Sequence, residues 1–337
     1  MKAVGYTTAG PIDRDDALIA LELEKPAATG RDLLVQVQAI SVNPVDFKVR
    51  TRRSSESGVP IVLGWDAVGD VVGVGDEVTA FRPGDRVWYA GAIDRPGTNA
   101  EFHLVDERIV GAKPSNASNV EAAALPLTAL TAWEMLFDRL RVVDPVPGAA
   151  AAVLIIGGAG GVGSIAIQLL RALTDLTVLA TASRPETRAW VTELGAHHVL
   201  DHAEPLAAQI DSLGIGAPGF VFSTNHTGSY VGQIAELIAP QGRFGLIDDP
   251  DALDVMPFKS KCVSTHWELM FTRSLFQTPD MDRQGHILNE VARLLDAGRI
   301  RSTATETLGK IDAGNLKRAH AALERGTARG KLVLEGF

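Results

Sequence analysis

The chain has 337 residues, 46% of them hydrophobic and 22% charged, with a net charge of −9. At ~150 residues per domain this length predicts two domains, and the acidic balance argues against a nucleic-acid surface, which needs a basic patch. Cys262 is the only cysteine, which excludes an intrachain disulfide and a four-cysteine zinc site.

The opening MKAVGYTTAG lacks the apolar core of a signal peptide. No run of about 18 apolar residues is evident, so no membrane span is expected. With a lone cysteine, a reducing cytoplasmic compartment is the expected setting. Up to about Pro114 the chain reads as β-rich. Residues 32–43, DLLVQVQAISVN, alternate apolar and polar side chains as a half-buried strand does. Residues 67–88 set valine-rich runs between Gly-Asp and Pro-Gly-Asp turns, and residues 100–110 alternate again. A compact, partly closed sheet of short strands is expected.

Residues 119–140 are rich in Ala and Leu and predict a helix, with Pro126 as a break or a second start. After the linker VVDPVPGA the pattern changes. AAVLIIG, LTVLATAS, HHVLDH, GFVFSTN and GRFGLID read as strands, separated by VGSIAIQLLRAL, PETRAWVTELG, AEPLAAQIDSLG and SYVGQIAELIAP as helices. Such alternation predicts a parallel sheet covered on both faces. A long helix is expected over residues 284–298. The closing RGKLVLEGF reads as a short strand placed to return to the first domain.

GGAGGVG stands between a predicted strand and a predicted helix, the order that a dinucleotide fingerprint requires. Gly157, Gly160, Gly161, Val162 and Gly163 would form a turn whose N–H groups and helix N-terminus face a pyrophosphate. A close strand–helix turn without a ligand is the competing structural reading. An NAD site usually places an acid about 20 residues later, on the ribose hydroxyls. Here the second strand ends in Ser183 and Arg184, while Asp175 comes too early and Glu186 falls inside the next helix. Ser and Arg suit a 2′-phosphate that a carboxylate would repel, so NADP(H) is the expected cofactor. His202, at the end of the next strand, is a third candidate there. Asn225, His226 and Thr227 follow the strand FVFS at its carboxyl end, where open α/β sheets bind ligands, and are placed to border the nicotinamide.

The β-rich start with GWDAVGDVVGVGDEV and FRPGDRVW, then LPLTALTAWEML and GGAGGVG, resembles the medium-chain dehydrogenase/reductase superfamily. Within it the chain is similar to the zinc-free quinone oxidoreductase branch, and the segment 259–281 is similar to zinc-type alcohol dehydrogenase-like proteins. The resemblance implies a GroES-like β-barrel catalytic domain over residues 1–124 and 300–337. It also implies a Rossmann domain, a doubly wound parallel sheet, over residues 125–299. It places the active site in the cleft between them and implies a homodimer. Zinc enzymes of the superfamily carry a Cys where this chain has Asn43, and a His in Gly-His-Glu where it has Trp65; neither an amide nor an indole is a credible zinc ligand. His198 and His202 sit four apart on a predicted strand, a poor metal spacing. No metal is therefore expected.

Hydride transfer from a nicotinamide needs no protein nucleophile. Without zinc to polarise a simple ketone, an already electrophilic small-molecule substrate is favoured, a quinone or an α,β-unsaturated carbonyl. By resemblance, Asn43 is placed to bond a substrate oxygen or the nicotinamide ribose, with Asp46 orienting it; Asn43 reads equally well as a helix cap before Pro44. Thr128 matches a position beside the nicotinamide, or is an ordinary helix residue. Trp65, Trp267 and Phe271 are candidate walls for a flat substrate, though core packing is the commoner fate of such residues. Tyr89 and His266 are candidate proton donors, alongside water. A metal-free alcohol dehydrogenase or carbonyl reductase, and a non-catalytic NADPH-binding sensor or structural protein, are the competing functions.

Overall fold

The computed structural model describes all 337 residues. In chain order it contains β1 (Lys2–Tyr6), β2 (Ile19–Glu22), β3 (Asp32–Ser41), α1 (Pro44–Arg52), β4 (Ile61–Val62), β5 (Asp66–Val74), β6 (Arg86–Tyr89), β7 (Phe102–Asp106) and β8 (Val110–Ala112). Helices α2 (Asn119–Ala123) and α3 (Pro126–Trp133) follow, and a π-helical turn continues over Glu134–Arg139. Next come β9 (Ala150–Ile156), α4 (Gly161–Leu173), β10 (Thr177–Thr181), α5 (Pro185–Glu193), β11 (His198–Leu200), α6 (Leu206–Leu213), β12 (Pro218–Ser223), α7 (Thr227–Leu237), β13 (Arg243–Leu246) and β14 (Ser264–Trp267). The chain closes with α8 (Thr272–Leu275), α9 (Arg283–Asp296), β15 (Ala304–Thr307), α10 (Ala313–Glu324) and β16 (Lys331–Glu335).

Two compact units result: Met1–Leu130 with Phe271–Phe337, and Thr131–Met270. The first is organised by β3. This strand pairs antiparallel with β5 along its length, with β7 over its first half, and with β16 near its end. Two register shifts against β5, after Leu34 and after Val37, mark bulges of the kind that bend a sheet and raise its twist. Leu33, Val35, Val37 and Ala39 are buried and Gln36 exposed, as the alternation predicts, but Leu34 and Ile40 on the other face are buried too, so β3 is less one-sided than its sequence suggests. Pro126 is the first residue of α3, so it starts a second helix after α2. The run Asn119–Arg139 is long and apolar enough to cross a membrane by length and hydropathy, which the sequence reading missed. In its most apolar 18-residue window 78% is buried inside the fold, as in a core helix.

The boundary expected at residue 299 lies instead at Met270. The segment 271–299 belongs to the first unit because α9 lays its apolar face, with Ile287, Leu288 and Val291, on β8. A side chain at Gly285 would come within 2.8 Å of the Val110 carbonyl oxygen, so glycine is what allows this close approach.

The second unit is a six-stranded sheet in the order β11-β10-β9-β12-β13-β14, parallel throughout. Buried on both faces, β9 reads as the continuous apolar run Val153, Leu154, Ile155 and Ile156. From β9 the chain proceeds to β10 on one side, and β12 flanks it on the other. The carboxyl ends of β9 and β12 therefore form a topological switch point, where sheets of this kind bind ligands.

Candidate cofactor and active site

At the carboxyl end of β9, Gly157 adopts φ +82°, a region that favours glycine. A Cβ there would lie 2.3 Å from Thr224 Oγ1 and 2.7 Å from Asn225 Oδ1. A Cβ on Gly163 would lie 2.4 Å from the Gly157 carbonyl oxygen. The loop is closed by hydrogen bonds: Gly157 N–H donates to Thr181 Oγ1 at 3.0 Å and Thr224 Oγ1 donates to the Ile156 oxygen at 2.9 Å. Gly160 caps α4, a helix of 13 residues, and Gly160, Gly161 and Val162 remain partly exposed. This is a glycine turn at a helix N-terminus, packed so closely that neither Gly157 nor Gly163 leaves room for a side chain, and its backbone is of the kind that receives a pyrophosphate.

Across the switch point, Asn225 and His226 are exposed, and His226 sits at φ +51°. That uncommon conformation is held by Asp248 from the neighbouring strand end. Thr227 N–H donates to Asp248 Oδ2 at 2.8 Å, the Thr227 hydroxyl also bonds the Asp248 carboxylate, and Ser223 Oγ lies 2.7 Å from Thr227 Oγ1. Thr227 is thus a buried anchor of the turn. Thr224, Ser223 and Asp248 went unnoticed in the sequence; the position of Thr224 directly after a strand end was the available signal.

Beyond β10, Ser183 is partly buried and Arg184 is the exposed N-cap of α5. Glu186 does not stay out of reach inside the helix: its Oε1 lies 3.2 Å from Arg184 Nε. One helical turn later, Arg188 folds back over the strand ends. Its Nη1 donates to the Ala182 oxygen at 3.1 Å and its Nη2 to the Val199 oxygen at 3.4 Å. His202 is exposed just after β11.

The first unit holds a buried polar network around Asn43. The Asp66 carboxylate accepts from Ser41 Oγ at 2.6 Å, from Asn43 Nδ2 at 2.7 Å and from the Leu127 N–H at 2.7 Å. Lys331, the first residue of β16, completes it. Its ammonium donates to the Val42 oxygen at 3.0 Å, to Asn43 Oδ1 at 2.5 Å and to Asp66 Oδ2 at 3.1 Å, so three protons meet three acceptors. Asp46, third residue of α1, accepts from the Asn43 N–H at 2.7 Å, as half of a capping box. Burial pushes the Asp46 carboxyl up to about 7, against the lowering effect of that bond and of Lys331. Asn43 and Asp46 are each 1% exposed. Asn43 thus stands at the N-cap position of α1, but its amide makes no capping bond of its own and is turned to Asp66 and Lys331. Neither Asp66 nor Lys331 was selected from the sequence. Asp66 follows Trp65 in GWDAVG, and a lysine opening the apolar strand KLVLE was the other signal.

The remaining candidates separate by unit. In the first, Trp65, Tyr89, Phe271 and Thr128 are all buried. The Trp65 ring meets Phe271 edge-on at 5.7 Å, and its Nε1 donates to the Ala92 oxygen at 3.1 Å. His103 Nε2 lies 2.9 Å from the Pro96 oxygen and must donate to it, so Nδ1 accepts from the Tyr89 hydroxyl at 3.1 Å. Burial lowers His103 to about 4 and raises Tyr89. A Tyr89 phenol that is buried and spent on a neutral histidine is a poor proton donor. The Thr128 hydroxyl donates back to the Leu125 oxygen at 3.0 Å. In the second unit, His266 and Trp267 lie on the edge strand β14, Trp267 exposed and His266 partly buried. Burial, then Arg243, lowers the His266 imidazole.

Zinc does not fit this donor set. Asn43 Oδ1 is bonded to an ammonium, the Trp65 nitrogen carries a proton, and no three His, Cys, Asp or Glu side chains are grouped to hold a metal ion.

Two family models match: alcohol dehydrogenase GroES-like domain over residues 29–115, and zinc-binding dehydrogenase over residues 194–334. The zinc-type alcohol dehydrogenase-like protein SAS2087 of Staphylococcus aureus (strain MSSA476) is 39% identical over 99% of both chains. A crystal structure from Rhizobium etli CFN 42, described as a candidate zinc-dependent alcohol dehydrogenase, is 64% identical with a TM-score of 0.99, covering 100% of this chain and 98% of that one. The quinone oxidoreductase from Coxiella burnetii is 27% identical with a TM-score of 0.81, covering 100% of this chain and 99% of that one. The chain belongs to the medium-chain dehydrogenase/reductase superfamily of nicotinamide-dependent oxidoreductases, among the zinc-type alcohol dehydrogenase-like proteins, and joins a GroES-like domain to a Rossmann domain.

Proposed function

We propose that this protein is an NADPH-dependent oxidoreductase that reduces a quinone or an α,β-unsaturated carbonyl without a metal. One observation carries the reading: the glycine cradle is intact, while Asn43 and Trp65 stand in a hydrogen-bonded, non-ligating arrangement where zinc relatives bind metal. When bound, the reduced nicotinamide supplies the hydride. The loop Gly157–Gly163 would hold the pyrophosphate, Ser183, Arg184 and His202 the adenosine end, and the turn Asn225–Thr227 the nicotinamide side together with Thr128. Asn43 keeps one Nδ2 hydrogen beyond the bond to Asp66, and we assign it to a substrate oxygen or the nicotinamide ribose, with Asp46 fixing its backbone. Trp65, Phe271 and Trp267 are the proposed apolar walls. With Tyr89 engaged and His266 held neutral, water supplies the proton.

A homodimer along the open edge of β14 fits this reading. The deciding experiment is a steady-state panel of quinones, enones, aldehydes and alcohols with NADPH, run beside metal analysis of the purified protein. Turnover of quinones or enones with no stoichiometric zinc supports the proposal. Reduction of simple ketones without preference for conjugated substrates would indicate a carbonyl reductase; no NADPH oxidation at all would indicate a binding protein.

A further inference from the structure

We propose that the groove between α10 and the paired strands β15 and β16 binds a small monocarboxylate with an apolar chain, independently of the cofactor reading. On one side α10 packs on α1, where Arg50 bonds His320 and pairs with Glu324. Arg318, Ala321, Ala322 and Arg325 follow the i, i+3, i+4, i+7 spacing of a different helix face. That face lines a cavity of about 400 Å³, closed from the strand side by Glu306, Leu308 and Leu332. The volume falls within the range of small-molecule sites. Two alanines keep it open, because larger apolar side chains at these positions would fill the space between helix and strands. Leu332, 3% exposed, and the partly buried Leu308 give it an apolar floor, while Arg318, Arg325 and Glu306 are exposed.

The charged groups differ in how they are held. Arg318 is fixed: its Nη2 donates to the Leu308 oxygen at 2.9 Å and to Asn315 Oδ1 at 2.7 Å. Both hydrogens of that nitrogen are spent, so Arg318 supplies a set positive charge and no end-on fork. Arg325 is the opposite case. Its guanidinium has no partner in the chain, although Glu306 lines the same cavity, and its whole fork is available to a carboxylate. Two guanidinium groups and one carboxylate leave the lining with a charge of +1, which one carboxylate balances. Glu306 repels a second negative charge, such as that of a phosphate dianion, and the two arginines repel an ammonium head. Contacts this open to solvent are modest and screened by salt. The affinity therefore rests largely on an apolar chain leaving water for the groove.

Calorimetric titration of the full chain with sodium octanoate tests this, beside hexanoate, octyl phosphate and octylammonium. One saturable octanoate site is expected, with hexanoate weaker by about fourfold for each methylene removed. Octyl phosphate should bind more weakly than octanoate, and octylammonium not at all. Arg325→Gln should weaken octanoate by about five- to tenfold, between an exposed ion pair and a charge-assisted hydrogen bond. Ala322→Phe fills the cavity without touching a charge and should abolish binding. Glu306→Gln should tighten octyl phosphate more than octanoate. Melting temperatures report whether each variant is folded; if Ala322→Phe is not, the exposed Arg325→Gln decides. No saturable octanoate binding up to about 10 mM would overturn the proposal. So would unchanged octanoate affinity in a folded Arg325→Gln or Ala322→Phe variant, which would place the ligand elsewhere on the protein. Octyl phosphate or octylammonium binding as tightly as octanoate would overturn the assignment to a monocarboxylate.

Discussion

Lys331→Met is the sharpest test of the network around Asn43. The substitution keeps an unbranched apolar stem and removes the ammonium. Lys331 is 3% exposed and its ion-pair partner Asp66 is fully buried. Without the cation, the Asp66 carboxylate is left with three neutral donors, Ser41, Asn43 and the Leu127 N–H, and no counter-charge in direct contact. The Val42 oxygen and Asn43 Oδ1 lose their donor at the same time. Breaking a buried pair in this way costs about 3–5 kcal/mol. For a unit of roughly 200 residues, that corresponds to a drop in melting temperature of roughly 6–20 °C. Urea denaturation followed by tryptophan fluorescence would measure it, alongside Asp66→Asn and the double variant. Removing both charges should recover at least half the loss, because the cost lies in the orphaned charge. A loss below about 1 kcal/mol, the range of solvated pairs, would refute the reasoning.

Asp46 offers a test by pH. Its folded value near 7 exceeds the unfolded value of about 3.9, so the folded state holds a proton that the unfolded state has released. Stability from this group is complete below about pH 4 and declines as pH rises to about 7, by up to about 4 kcal/mol. Urea midpoints at pH 4.5 and 8 should show the decline in wild type and lose most of it in Asp46→Asn; identical profiles would remove the buried-acid account. Gly163→Ala places a Cβ 2.4 Å from a backbone oxygen, so the loop must shift. Cofactor affinity should fall at least about tenfold, with about 1–3 kcal/mol of destabilisation from overpacking. An unchanged dissociation constant, read by NADPH fluorescence, would show that the loop is not the cradle.

Much of the second unit was legible because independent signals agreed. An apolar strand, glycines and an amphipathic helix occur in one order, and continuous apolar runs alternating with helices predict the parallel pairing seen for β9, β10 and β12. The edge strand β14 was not legible: Ser264, Thr265, His266 and Trp267 carry neither an apolar run nor alternation. The domain boundary was misjudged for a related reason. The apolar stripe of α9 predicts a helix that covers a core, but the pattern is the same whichever core it covers. The Asn43 network was only half visible. Asp46 and Asn43 are neighbours in sequence, whereas Lys331 reaches Asp66 across 265 positions, a pairing that no local pattern encodes.

The pairing of β3 with β16 bears on how the chain is made. Val333, Leu334 and Glu335 complete a strand whose partners, Ser41, Ile40 and Ala39, leave the ribosome about 290 residues earlier. At ~5–20 residues per second, that interval lasts roughly 15–60 s. During it, β3 has an unpaired edge and Asp66 lacks its lysine, while Thr131–Met270 is fully synthesised. The Rossmann unit can therefore finish folding while the first unit is still waiting for its last strand. Until β16 arrives, the Ala39–Ser41 end of β3 offers unpaired backbone groups of the kind that template pairing with another chain.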